Sequence, residues 1–162
     1  MVPAVTSGRF RVQIGQGLPP ELYVADVLQG GISIYDSGFD VAGQSPNRIE
    51  IVLKSGAATI DGVVQDPAGK PMPNATVVLI PPPARRQNRG LYRTAISDSN
   101  GHFTIRGVTS ENYYLFAWQK ISPAAYYNPR FLAKYEERGR PVNVGQASTL
   151  TATLTGIQAD WR

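Results

Sequence analysis

Alternation of apolar and polar positions runs through most of the chain, and it predicts strands. Leu150, Ala152 and Leu154 face one way, against Thr149, Thr151, Thr153 and Thr155 on the other. That is a half-buried strand with a solvated face. Ile49, Ile51 and Leu53 repeat the pattern against Glu50 and Lys54, and Ala75, Val77 and Leu79 repeat it again. Asp98-Ser99-Asn100-Gly101 is a turn signal, so the runs 93–97 and 102–106 on either side are expected to form a hairpin. A second turn, Asp66-Pro67-Ala68-Gly69, joins strand patterns at 59–64 and 74–80. About seven strands fall in 57–156, the number expected of an Ig-like sandwich. The exception is 120–140, longer than an ordinary loop, where 129–137 has room for one or two helical turns.

The pattern also repeats. Gly8-Arg9-Phe10-Arg11-Val12 parallels Gly101-His102-Phe103-Thr104-Ile105. Glu21-Leu22-Tyr23-Val24-Ala25 parallels Asn112-Tyr113-Tyr114-Leu115-Phe116, and the run from Arg48 to Leu53 parallels that from Thr149 to Leu154. Three matches in one order suggest two related β units. The first, about 6–55, resembles the back half of a sandwich, and the second, about 57–157, resembles a complete one. Strands at 10–14, 22–27 and 49–53 would then carry apolar faces and at least one open edge, which recruits another strand. A preceding segment, another chain by strand addition, or direct packing of the first unit on the second would each answer that.

Composition narrows the chemistry. Cys is absent, which removes disulfides and thiolate sites, and the single His102 removes any metal site needing two imidazoles. Charged residues are 17% of the chain, fewer than in most soluble domains. No apolar run approaches the roughly 18–20 residues of a membrane span. Met1-Val2-Pro3-Ala4-Val5 has none of the pattern of a secretory leader. The net charge is +4, and Arg85, Arg86, Arg89 and Arg93 equal that excess within one acid-free stretch. The rest of the chain is balanced, so a diffuse nucleic-acid footprint is not indicated, and no nucleic-acid partner is expected. The bland reading of the cluster is a solvated tip on a stiff Pro81-Pro82-Pro83 stem. The functional one is contact with an anionic surface.

Individual candidates for chemistry are weak. His102 follows a turn at a position where the first unit has Arg9, which reads as surface. Asp98-x-Asn100-Gly101 has the spacing of a small Ca²⁺ loop without its later acidic ligands, and a turn explains it. Glu136 and Glu137 are neighbours whose side chains point apart. Lys54, on a solvated strand face, is a poor isopeptide donor. No cofactor and no metal are expected.

The aromatic residues are the anomaly. Tyr113, Tyr114, Phe116, Trp118, Tyr126, Tyr127, Phe131 and Tyr135 crowd into one short region. Alternation puts Tyr113, Leu115 and Ala117 on one face, and Tyr114, Phe116 and Trp118 on the other. Either residues 120–140 fold back and cover the second face with Tyr127, Phe131 and Leu132, or Trp118, Tyr126 and Tyr135 form a platform that stacks sugar rings or a partner protein.

Several of these pieces together resemble a known family. Gly62-Val63-Val64-Gln65-Asp66, Gly69-Lys70-Pro71, Asn74-Ala75-Thr76-Val77, Asp98-Ser99-Asn100-Gly101-His102-Phe103 and Tyr113-Tyr114-Leu115 are similar to the carboxypeptidase regulatory-like domain. The resemblance implies an all-β, Ig-like or prealbumin-like (transthyretin-like) antiparallel β-sandwich over roughly 57–156, with 8–55 as a weaker partial copy. It implies no catalytic group. The blocks Leu115-Phe116-Ala117-Trp118, Asn128-Pro129-Arg130-Phe131-Leu132 and Tyr135-Glu136 also look like the C-terminal region of large secreted or surface proteins of environmental bacteria. An extracellular or cell-surface location follows from that resemblance. The expectation is a non-enzymatic structural or interaction module that meets a protein partner, or a second copy, through an open β edge of its N-terminal unit. The alternative is a carbohydrate-binding module that meets polysaccharide through residues 113–135.

Overall fold

The computed structural model describes residues 7–14, 18–41 and 48–159. The leader reading of Met1–Val5 and the start of the first unit at residue 6 lie outside them. Five strands precede the sandwich: β1 (Gly8–Phe10), β2 (Leu22–Gln29), β3 (Ile32–Ser33), β4 (Phe39–Val41) and β5 (Ile49–Ser55). Seven follow: β6 (Ala58–Gln65), β7 (Thr76–Ile80), β8 (Arg93–Ile96), β9 (His102–Val108), β10 (Glu111–Trp118), β11 (Arg140–Val144) and β12 (Thr149–Thr155). One short helix, α1 (Pro129–Ala133), lies between β10 and β11, flanked by single 3₁₀ turns at Ala125–Tyr127 and Glu136–Arg138. The run expected to be extended over 10–14 is strand only as far as Phe10.

The seven strands form two facing sheets, β12-β6-β9 and β11-β10-β7-β8. Inward positions alternate as the sequence predicts. Ile60 and Val64 of β6, Phe103 and Ile105 of β9, and Ala152 and Leu154 of β12 meet Val77, Leu79, Tyr113 and Leu115 in one core. The four threonines of β12 are exposed. β12 runs parallel to β6, in register from Thr149↔Thr59 to Thr155↔Gln65.

The turn at Asp98 forms as expected, but the hairpin does not. The Asp98 carboxylate accepts the backbone N–H groups of Asn100 and His102, both at 2.8 Å, and Gly101 donates to the Asp98 carbonyl. The strands on either side then diverge: β8 pairs with β7, and β9 pairs with β6. Gly101 explains why. It has φ +77, and a Cβ there would sit 2.5 Å from the Val64 carbonyl. The corner therefore seats on β6, its carbonyl accepting the Val64 N–H at 2.8 Å, and the chain crosses between sheets. Asp66 builds the same turn, accepting from Ala68 and Lys70.

The sheet β3-β2-β5 shares the core of the seven-stranded sandwich: Val27, Ile34 and Tyr35 are buried with Ile60 and Leu79, and Phe39 of the small β1-β4 pair packs against them. The strands that match in sequence differ in pairing. β2 pairs directly with β5, whereas their counterparts β10 and β12 lie in different sheets. The apolar face of β5 is only partly covered: Ile49 packs on the core, while Ile51 and Leu53 are 44% and 43% exposed.

Candidate functional site

The two central strands of the four-stranded sheet, β7 and β10, are buried on both faces. On its outer face Val78, Ile80, Phe116 and Trp118 form a second core with Leu132, Tyr135 and Ile157. Residues 120–140 fold back over it, the covering arrangement of the two weighed above. Asn128 caps α1 by accepting the Arg130 N–H at 2.9 Å, and Pro129 takes the first helical position, so the chain turns down onto the sheet here. Trp118 stacks on Phe116, with centroids 5.1 Å apart and planes within 7°, and meets Tyr135 edge-on at 6.0 Å. Gly139 lies flat on Phe116, where a Cβ would come within 2.5 Å of the ring. Trp118, Phe116 and Tyr135 therefore offer a ligand no surface, and Tyr114 and Phe131 are half-buried against this core.

Tyr126 and Tyr127 differ. They stand at the rim, with centroids 4.6 Å apart, and both pack on the buried Tyr92. Burial raises the Tyr126 pKa, and the adjacent Tyr127 adds to it; burial pushes Tyr92 up to about 12. These rings line an open cavity of about 790 Å³. Arg86, Arg89, Arg9 and Arg11 line it too, with Glu136 the one carboxylate in the lining.

The arginine cluster is not a solvated tip. Pro81 is buried, and residues 83–91 fold as two 3₁₀ turns against the first unit. Arg85 binds Asp36 with two nitrogens, at 2.9 and 3.1 Å, and also binds Glu111. Burial opposes the Arg85 charge, and these two carboxylates more than offset it, so its pKa is raised. Arg86 forms a fork with Glu136 at 3.0 and 2.6 Å. Arg93 donates to the backbone carbonyls of Gly90, Tyr92 and Gly107. Arg89 alone of the four stays exposed, its guanidinium 4.6 Å from the Tyr127 ring centroid. Asn88, 3% exposed, completes the join between units. It donates to the Tyr35 carbonyl and to Asp36, and it accepts from Gly90.

Arg9 and Arg11 were not singled out from the sequence. A signal was available: alternation puts Arg9, Arg11 and Gln13 on one side of Phe10 and Val12, and these three line the cavity. Arg9 donates to the Ser37 carbonyl, and Arg11 to the Asp36 carbonyl and Gln87. Neither forms an ion pair among the described residues, and nor does Arg89. His102 is exposed, 3.8 Å from Asp98. Among the described residues no cluster of His, Asp or Glu could hold a metal, and no helix is long and apolar enough to cross a membrane.

Two facing sheets, a sheet-switching corner and a covered aromatic face define a β-sandwich module. The chain belongs to the carboxypeptidase regulatory-like domain family, whose model matches residues 59–155. No curated protein matches the sequence. Among solved structures it is similar to a candidate carbohydrate-binding protein of Pseudomonas aeruginosa, at 15% identity and TM-score 0.44, over 62% of this chain and 88% of that one. It is also similar to the major pilin subunit of Bacillus cereus (12% identity, TM-score 0.42, 85% of this chain and 57% of that one). The minor pilin of Streptococcus agalactiae gives 17% identity and TM-score 0.42, over 87% and 61%. The chain thus spans less than two thirds of either pilin.

Proposed function

We propose that the chain is a non-enzymatic structural and interaction module of a secreted or cell-surface bacterial protein, and that it assembles through the outer edge of β5. The observation that carries this is the state of that strand. Among the described residues it pairs with β2 on one side only, and Ile51 and Leu53 are left exposed. The sequence of the edge is self-complementary. An antiparallel pair of two β5 strands centred on Val52 sets Glu50 opposite Lys54 twice and Ile51 opposite Leu53 twice. Opposite charges and apolar pairs directly across strands each contribute roughly 0.2–1 kcal/mol, and a two-fold pairing counts each twice. The occupant of the edge is therefore a second copy of this chain.

Light scattering after size-exclusion chromatography, over a wide concentration range, tests this. A concentration-dependent dimer is expected. Lys54→Glu, which sets Glu against Glu, weakens it, and adding Glu50→Lys restores it. A strict monomer, or a dimer indifferent to Lys54→Glu, refutes assembly through this edge.

A second reading, carbohydrate binding, is favoured by a separate observation: Tyr126 and Tyr127 line the open cavity.

A further inference from the structure

We infer that this cavity is a binding site for an acidic polysaccharide, with uronate carboxylates held by Arg9, Arg11 and Arg89 while a sugar ring rests on Tyr126. The inference deepens the carbohydrate-binding reading and rests on it.

Charge comes first. The lining holds four arginines and one carboxylate, and that carboxylate, Glu136, is already forked onto Arg86. Arg9, Arg11 and Arg89 have no carboxylate partner among the described residues. A guanidinium has five N–H donors. The side-chain bonds of Arg9 use one of its donors and those of Arg11 use two. Each retains donors for a carboxylate, and guanidinium and carboxylate match as a planar fork.

The second element is aromatic. Tyr126 and Tyr127 are half-buried and tilted 56° to one another, backed by Tyr92; the Arg89 guanidinium lies over Tyr127, which leaves Tyr126 to meet a sugar ring. Aromatic faces of this kind take the apolar face of a pyranose, and a phenol beside them supplies hydrogen bonding. The exposed large apolar side chains, Ile14, Ile32, Ile51, Leu53 and Ile96, all lie outside the lining. Seating in a lipid surface draws on apolar side chains beside the charges; none of these flanks the cavity, which favours the sugar chain over the lipid.

The third element is construction. The cavity draws on both units: Arg9 and Arg11 come from the first, Arg86, Arg89 and the tyrosines from the second. The join is fixed by Arg85–Asp36, Asn88 and the Arg11–Gln87 bond. A ligand finds the arginines already in place, and ordering them costs little on binding.

Calorimetric titration of the full chain with polygalacturonate, with its methyl ester, and with phosphatidylglycerol vesicles tests the site. Polygalacturonate is expected to bind, to weaken as salt is added, and to weaken about tenfold or more in Arg89→Gln and in Arg9→Gln, both exposed positions whose change leaves the fold intact by circular dichroism. Tyr126→Ala is expected to weaken it as well. Equal binding of the methyl ester overturns the acidic specificity and leaves the carbohydrate reading standing. Binding of neither polymer overturns both. Binding of vesicles alone replaces the glycan with a lipid surface. Undiminished binding in both arginine variants removes the cavity as the site.

Discussion

Asn88→Asp is the sharpest probe of how the first unit is held. The substitution keeps the shape of the side chain and exchanges one NH₂ for an oxygen. In the native chain that NH₂ donates to the Tyr35 carbonyl at 3.0 Å and to the Asp36 carboxylate at 2.9 Å, in a site 3% exposed. A neutral bond of this kind is worth about 1 kcal/mol and one to a charged group about 1.5–3 kcal/mol. The new oxygen would face a carbonyl and a carboxylate at contact distance. The carboxyl escapes by taking a proton, which costs about 4 kcal/mol at about pH 7 from an ordinary aspartate pKa near 3.9. The expected loss is about 3–5 kcal/mol, a large fraction of the roughly 5–15 kcal/mol that stabilises a domain.

The sign with pH follows. The folded-state pKa of the new carboxyl is raised above its unfolded value. Its protonated form is therefore favoured by folding, and the variant recovers about 2–3 kcal/mol between about pH 7 and about pH 5. Asn88→Ala is the control: it leaves the Gly90 N–H and the Tyr35 carbonyl unpaired, and its cost does not vary with pH over that range. Urea unfolding of wild type and both variants at the two pH values measures this. A loss under about 1 kcal/mol, or one independent of pH, would refute the placement of this amide between the two units.

Two further outcomes are expected. Trp118→Phe is expected to cost less than Trp118→Ala, about 1–2 against about 3–5 kcal/mol in denaturant unfolding, because the indole Nε1 has no hydrogen-bond partner to lose among the described residues. With Tyr92 raised from 10.0 to about 12, and Tyr35 and Tyr113 also raised by burial, stability present below about pH 10 is lost as pH rises towards about 12. Tyr92 accounts for up to about 3 kcal/mol of that loss. Tyrosine absorbance followed with pH reads it out: ionisation coincident with unfolding supports the argument, and smooth titration of a folded chain opposes it.

How much of this was legible in the sequence depends on the range of the forces involved. The facing of β12, and of Tyr113, Leu115 and Ala117 against Phe116 and Trp118, follows from pleat geometry alone, and alternation reports it directly. The Asp98 turn is equally local, since its carboxylate binds N–H groups two and four residues on. The choice of partner strand is not local. Gly101 seats against Val64, far away in sequence, and that contact sends β8 and β9 to different sheets. The arginines show the same limit. As a run they read as a free charge cluster, because the acids that claim Arg85 and Arg86 lie 49, 26 and 50 positions away, at Asp36, Glu111 and Glu136. The candidate cavity was visible only in halves, the tyrosines in one place and the arginines in another.

The parallel pairing of β6 with β12 has a mechanical consequence. These are the first and last strands of the seven-stranded sandwich, so tension applied across it enters through them in opposite directions along their length. The two strands must then slide past one another, and seven consecutive residue pairs, from Thr149↔Thr59 to Thr155↔Gln65, bear the load together. An antiparallel hairpin pulled from its open end would instead unzip, each pair breaking in its turn. Because of this strand order, a module strung within a longer chain would resist extension by shear.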